Sequence, residues 1–357
     1  MEIGIVGLPN VGKSSLFNAL TGAGIAAENF PFTTIEPNVG IVPLPDERLQ
    51  VLAKEFKSQK VTPAGIRFVD IAGLVKGASQ GEGLGNKFLS HIRAVDAIAH
   101  VIRFFRDDNV VNVLNEHNPL SAVEIIETEL LLADLQQAQK ALERFRKPAK
   151  AGDKNAQERF QWLEKIVAGF DEGKSARVQK LPKEIVDEFQ FLTAKPLLYV
   201  ANTDESGISD EELKPLLERA RQEQANVISL CTKLEAEILE LPEDERVSYY
   251  QEAGITSPGL ARLAKAGCDL LNLDCFFTAG DTETRAWLIP RGTKASKAAG
   301  KIHSDIERGF IRAEVYKFDD LAKHGSYRTV QSKNLITLEG KDYEVKDGDV
   351  IYFRFSV

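Results

Sequence analysis

Cysteine is scarce in this 357-residue chain: Cys231, Cys268 and Cys275 are its only three. They are odd in number and lack the paired spacing of a zinc site, which argues against a disulfide framework or a structural metal and for reduced thiols. Long apolar runs are missing too. No stretch approaches the roughly 20 residues a membrane-spanning helix needs, and Met1–Gly7 lacks the basic start and longer apolar run of a signal peptide. A cytoplasmic protein with no membrane partner is the expectation. Nor is there an overall basic excess: 45 Lys and Arg face 53 Asp and Glu, a net charge of -8. The whole chain is therefore no polycation, although a local basic surface remains open. Neither a G-x-G-x-x-G dinucleotide fingerprint nor an H-R-D catalytic loop is present, so dehydrogenase and kinase readings fail. With 43% apolar and 27% charged residues, the chain has the composition of a globular protein and the length for two or three domains.

Short apolar runs alternate with helical patterns over the first 130 residues. Ile3–Val6, Ile66–Ile71 and Ala97–Phe105 read as strands, and Leu16, Phe17, Ala19 and Leu20 as a helical stripe. Pro196–Val200 and Val227–Leu230 add two strands around a helical Glu211–Gln224. Unbroken apolar strands between helices predict a doubly wound, mostly parallel α/β domain, assigned to residues 1–120 and 196–273. Residues 121–195 carry no strand signal and read as an inserted antiparallel helical arm turning near Pro148–Asp153. Over residues 140–183 this arm has twelve Lys and Arg against six Asp and Glu. That asymmetry fits a polyanionic partner, and equally a merely solvated arm. Residues 274–357 read as a small α+β module, with strands at Cys275–Thr278, Ala286–Ile289, Phe310–Val315 and Val350–Phe355 and a helix over Lys294–Asp305.

The segment Gly7-Leu8-Pro9-Asn10-Val11-Gly12-Lys13-Ser14 matches G-x-x-x-x-G-K-[ST], between a strand and a helix. Its glycines let successive N–H groups curl inward against a helix N-terminus, a cradle for phosphate. Asn10, Val11, Gly12, Lys13, Ser14 and Ser15 are the expected nucleotide contacts. Lys13 would reach the β- and γ-phosphates and serve catalysis, while Ser14 would hold Mg²⁺. Asp70-Ile71-Ala72-Gly73 lies at a strand end, 57 residues beyond Lys13. There an aspartate can reach Mg²⁺ through water and the Gly73 N–H can sense a γ-phosphate. In the intervening loop Phe32-Thr33-Thr34, a threonine would complete the Mg²⁺ shell, with Thr34 chosen over Thr33. Asn10 caps the loop, or holds a monovalent cation against the phosphates.

These elements in this order resemble the translation-factor class of P-loop NTPases, and their wording resembles the Obg family and its YchF branch. Phe276-Phe277-Thr278-Ala279-Gly280, Arg285-Ala286-Trp287 and Ile302 to Phe310 resemble the C-terminal TGS domain of that branch, a β-grasp module. The resemblance covers essentially the whole chain. It implies ATP hydrolysis with Mg²⁺, and ribosome or RNA as partner through the arm and the TGS-like module. A monomer is the expected state.

Base choice hangs on Ala201-Asn202-Thr203-Asp204-Glu205, where GTPases of this class carry Asn-Lys-x-Asp. Asn202 matches, Thr203 replaces the lysine and Glu205 the aspartate. The extra methylene displaces the carboxylate and weakens the paired guanine contact. The resemblance implies ATP over GTP, whereas a one-residue shift would put Asp204 on guanine. Ser229-Leu230-Cys231-Thr232 is the last base-side loop. Leu74 stands where many GTPases place a water-orienting glutamine, so another group must act. His91, on the helix after a glycine-rich segment, is the candidate; an ordinary helix-surface role is its alternative. The other histidines lack metal-ligand spacing and read as structural. Two further functions stay open: a true GTPase, and an adaptor that binds nucleotide for stability alone.

Overall fold

The computed structural model describes all residues except 24–37, 72–83, 108–109, 112–117, 253–254, 256 and 357. Thr34, Gly73 and Leu74 therefore lie outside the described residues. In chain order the first half runs β1 (Glu2–Val6), α1 (Lys13–Gly22), β2 (Val39–Pro43), α2 (Glu47–Phe56), β3 (Lys60–Thr62), β4 (Gly65–Asp70), α3 (Leu84–Ala94), β5 (Ala97–Arg103), α4 (Pro119–Lys150), α5 (Lys154–Asp171), α6 (Lys183–Phe189), β6 (Leu197–Asn202), α7 (Asp210–Gln222) and β7 (Asn226–Leu230). It continues with α8 (Thr232–Glu240), α9 (Glu243–Glu252), α10 (Gly259–Leu270), β8 (Leu273–Ala279), β9 (Glu283–Pro290), α11 (Ala295–Ile302), α12 (Ser304–Arg308), β10 (Phe310–Lys317), α13 (Phe318–His324), α14 (Tyr327–Ser332), β11 (Thr337–Glu339) and β12 (Asp349–Phe355).

The chain divides into two compact units, the first comprising residues 1–23 and 38–41 and the described residues of 67–266. Its six-stranded sheet has the order β2-β4-β1-β5-β6-β7. The β1–β4, β1–β5, β5–β6 and β6–β7 pairs are parallel. Asp70 N–H bonds to the Asn38 carbonyl and Leu44 N–H to that of Ala64, a register that opposes edge strand β2 to β4. β1, β5 and β6 are buried almost throughout, as strands covered on both faces must be. Order reverses at β1, so the crevice beyond the carboxyl ends of β1, β4, β5 and β6 is where such a sheet receives a ligand.

The arm belongs to this same unit. α4 and α5 bury Ala138, Leu163, Ile166 and Phe170 with Phe189 and Phe191 in a core of their own. Asp134 on α4 accepts the N–H groups of Leu192 and Thr193, each at 2.8 Å, and the Thr193 hydroxyl at 2.7 Å. Pro148 falls inside the last turn of α4. The turn itself is Ala151–Asp153, where Asp153 caps α5 by accepting from Ala156 N–H. A proline this close to a helix end forfeits only a hydrogen bond that fraying would weaken anyway.

Among the described residues, the second unit comprises 42–66 and 267–356. Its sheet order is β11-β10-β12-β8-β9-β3, with β12 parallel to β8 and an antiparallel β8–β9 hairpin, the β-grasp arrangement. α11 lays Ala295, Ala298 and Ala299 on Phe276, Ile289, Val315 and Phe353. The expected single helix over Lys294–Asp305 is in fact two, because extended His303 ends α11 and caps α12 through Nδ1. Residues 42–66, expected with the α/β domain, sit with this unit instead. Leu49 and Leu52 of α2 join the core of Phe277, Tyr316 and Val350, and β3 pairs in parallel with β9. Arg48 fixes the attachment, donating to Asp46 at 2.9 Å and Asp347 at 2.6 Å while covering the Phe277 ring. No helix among the described residues is long and apolar enough to cross a membrane.

Candidate functional site

The site forms where β1 ends. Asn10 and Gly12 both take positive φ, 64° and 90°, and curl the chain before α1 opens at Lys13. Only glycine fits position 12: a Cβ there would lie 2.0 Å from the Asn202 side-chain nitrogen. Gly7 is tight as well, with a Cβ meeting the Val101 carbonyl at 2.8 Å.

Asn202, at the end of β6 and 2% exposed, ties the loops together. Its Nδ2 donates to the Val11 carbonyl at 2.9 Å and its Oδ1 accepts Thr232 N–H at 3.1 Å. The Gly7–Ser14 loop is thereby locked to the loop before α8. Asn10 Nδ2 donates to the Val111 carbonyl at 3.1 Å. Arg103 holds that neighbouring segment, donating to the carbonyls of Phe105, Asp107 and Val110 and covering the Phe105 ring. Arg103 went unnoticed in the sequence; the signal was an arginine closing an otherwise apolar strand.

Lys13 and Asp70 meet. The ammonium donates to Asp70 Oδ1 at 2.6 Å and to the Ile71 carbonyl at 3.0 Å. Both side chains keep some solvent contact, so the pair is exchangeable rather than sealed. Ser14 and Ser15 are exposed in the first turn of α1. Val11 is buried, leaving only its backbone as a contact.

On the base side, Thr203 is buried and donates to the Asp204 carbonyl at 3.0 Å. The Asp204 carboxylate turns back on Ser206, accepting its N–H at 3.0 Å and its hydroxyl. Glu205 is exposed and faces Lys233 at 3.4 Å. Cys231 Sγ accepts Leu234 N–H at the start of α8, and partial burial pushes its thiol up. His91 is exposed on α3, in the helix's last turn.

Two family models match. Residues 2–140 match "50S ribosome-binding GTPase", and residues 273–356 match the C-terminal domain of YchF GTPases, described as "Protein of unknown function (DUF933)". The chain is 50% identical to "Ribosome-binding ATPase YchF" of Pasteurella multocida, over 100% of this chain and 99% of that one. The Bacillus subtilis protein of the same name is 49% identical, with both chains fully covered. This chain belongs to the YchF family. The structure of the Schizosaccharomyces pombe YchF GTPase is similar at a TM-score of 0.86 and 33% identity, covering 99% of this chain and 97% of that one. In YchF terms the first unit carries the P-loop GTPase fold and the second the family's C-terminal domain.

Proposed function

We propose that this YchF protein is a Mg²⁺-dependent ATPase whose bound nucleotide controls association with the ribosome. The observation that carries the reading is the Lys13–Asp70 contact beside the left-handed Gly12 turn. An ammonium and a carboxylate converge where a polyphosphate would lie, each serving as the other's stand-in partner. On binding, Lys13 would exchange Asp70 for the β- and γ-phosphates, freeing Asp70 to turn toward the metal.

The donors suit Mg²⁺ delivered with its nucleotide. Among the described residues no group of three or more acidic, histidine or cysteine side chains could hold a metal unaided. Ser14 offers an exposed hydroxyl and Asp70 a carboxylate at a strand end. Two such donors, with Thr34 proposed as a third, leave phosphate oxygens to complete an octahedral shell. When bound, the ion would neutralise charge building up on the transferred phosphoryl group. Gly73 N–H is proposed as the γ-phosphate sensor, and His91 as the group that orients water once α3 approaches.

ATP is the proposed substrate ahead of GTP. Asp204 is engaged by Ser206, and Glu205, one methylene longer than the aspartate of the guanine motif and paired with Lys233, has its carboxylate displaced from the position that takes guanine's two donors together. The relatives' names divide between ATPase and GTPase, so substrate choice is the point to test. The ribosome is the partner that the relatives' names give. Lys140, Lys147, Lys150 and Lys154, all exposed near the arm's tip, supply the cationic surface such a partner needs. RNA contact through the TGS-like second unit belongs to the same proposal.

Calorimetric titration with ATP, ADP and GTP, each with Mg²⁺, tests the substrate. ATP should bind at least tenfold more tightly than GTP; the reverse order makes this a GTPase. His91→Ala should bind ATP normally yet hydrolyse it more slowly, and an unchanged rate removes His91 from the mechanism.

A further inference from the structure

The last turn of α3 carries His91 and Arg93, and the carbonyls at the end of such a helix have no partner within it. Lys195 supplies one. Its ammonium donates to the Arg93 carbonyl at 3.1 Å and to the Val95 carbonyl at 2.5 Å, from about 100 residues further along the chain. A cation at this end also complements the helix dipole. Lys195 is half-buried; burial pushes its pKa down, while Asp96 and Asp134 pull against that shift.

The backbone of Lys195 belongs to the arm's root. It follows the single 3-10 turn Leu192–Ala194, whose first two N–H groups are the ones Asp134 of α4 accepts. Arg177, in the segment after α5, donates its N–H to the Thr193 carbonyl at 3.1 Å and its Nη1 to the Lys195 carbonyl at 2.9 Å. Glu223 beside α7 holds Arg177 in turn, at 3.0 Å. From this braced base the lysine side chain reaches across to α3. Entry into β6 does not need it, because backbone bonds set the β5–β6 register, beginning with Ile98 N–H on the Pro196 carbonyl at 2.9 Å. Nor does α3 need it for burial, which Phe88, Leu89 and Ile92 provide.

What the side chain adds is position. Apolar burial is non-directional, so it holds a helix against its neighbours without fixing where the helix sits along its axis. Two directed bonds at one end do fix it. For a group that orients water, position decides the rate, since a misplacement of about 1 Å can cost about 100-fold. We infer that Lys195 is a positioning residue for hydrolysis, locking the last turn of α3, and with it His91, to the root of the arm. This assignment rests on the proposed role of His91. A partner that displaced the arm's root would thereby shift the turn that carries His91.

The test is steady-state ATP hydrolysis by the full chain, with folding of each variant checked by melting. Lys195→Met keeps the apolar stem and removes the donor. It should lower kcat about tenfold and leave KM within about twofold, because the phosphate loop and the base-side loops are untouched. Lys195→Arg, which still offers donors to both carbonyls, should retain at least about a third of wild-type kcat. In the His91→Ala background, Lys195→Met should cost no further kcat. If Lys195→Met does not fold, Lys195→Gln takes its place with the same expectations. Full kcat without the ammonium, a loss confined to KM, no rescue by Lys195→Arg, or a loss that adds to that of His91→Ala overturns the inference. A full rate in His91→Ala alone counts against the proposed function, whereas a slow His91→Ala beside a full-rate Lys195→Met counts against the positioning role only.

Discussion

Gly12 illustrates how much one residue position constrains. At φ 90° it occupies the left-handed region, and the atom a Cβ would strike is the nitrogen that clamps the Val11 carbonyl. Gly12→Ala should therefore cost about 1–2 kcal/mol in backbone strain alone, and displacing Asn202 should lower ATP affinity at least tenfold, both read by melting with and without Mg-ATP. Normal affinity would mean that the Asn202 clamp is dispensable. His100 gives the residue-scale prediction for pH. Its imidazole ionises near 6.5 in the unfolded chain and near 3 when folded. Between those values the unfolded state binds a proton that the folded state does not, so stability falls as pH drops below 6.5. Wild type should lose about 2–3 kcal/mol more than His100→Leu between pH 7 and pH 4.5 in urea unfolding; parallel losses would show that His100 charges without penalty.

Elements repeat the lesson that local pattern and long-range contact are different signals. β1, β5 and β6 were legible because strands covered on both faces are continuously apolar, and the half-buried β4 and β7 because each keeps a short apolar run. β2 and β3 were not, being a strand at one sheet's edge and a three-residue strand whose first two positions face solvent. That residues 42–66 join the C-terminal sheet depends on pairing with residues more than 200 positions away, such as Lys60 with Glu283. At the candidate site the motif announced Lys13, Ser14, Asp70 and Asn202. The contact between Lys13 and Asp70, the bridge from Asn202 to Thr232 and the clamp by Arg103 emerge only once strand ends converge. The arm hangs on a similar unseen contact, Asp134 with the turn at 192–193. Asp134→Ala would strand two buried N–H groups, a loss of about 2–4 kcal/mol, checked by denaturant midpoint; a loss under 1 kcal/mol would mean that packing alone holds the arm.

For the molecule as a whole, charge is unevenly spread. Residues 140–183 carry an excess of six positive charges within a chain of net charge -8. If that excess contacts ribosomal phosphate, converting Lys147, Lys150 and Lys154 to Glu should weaken ribosome co-sedimentation at least tenfold at low salt and flatten its salt dependence. Co-sedimentation unaffected by the triple change would assign the charges to solubility.

The polyphosphate grip itself is tested most directly by melting the ligand-free chain with ATP, with and without Mg²⁺, beside Lys13→Ala. Wild type should gain several degrees with Mg-ATP, and less with ATP in chelator. Lys13→Ala should gain almost nothing. Equal gains in wild type and Lys13→Ala, or no gain in either, would contradict the account.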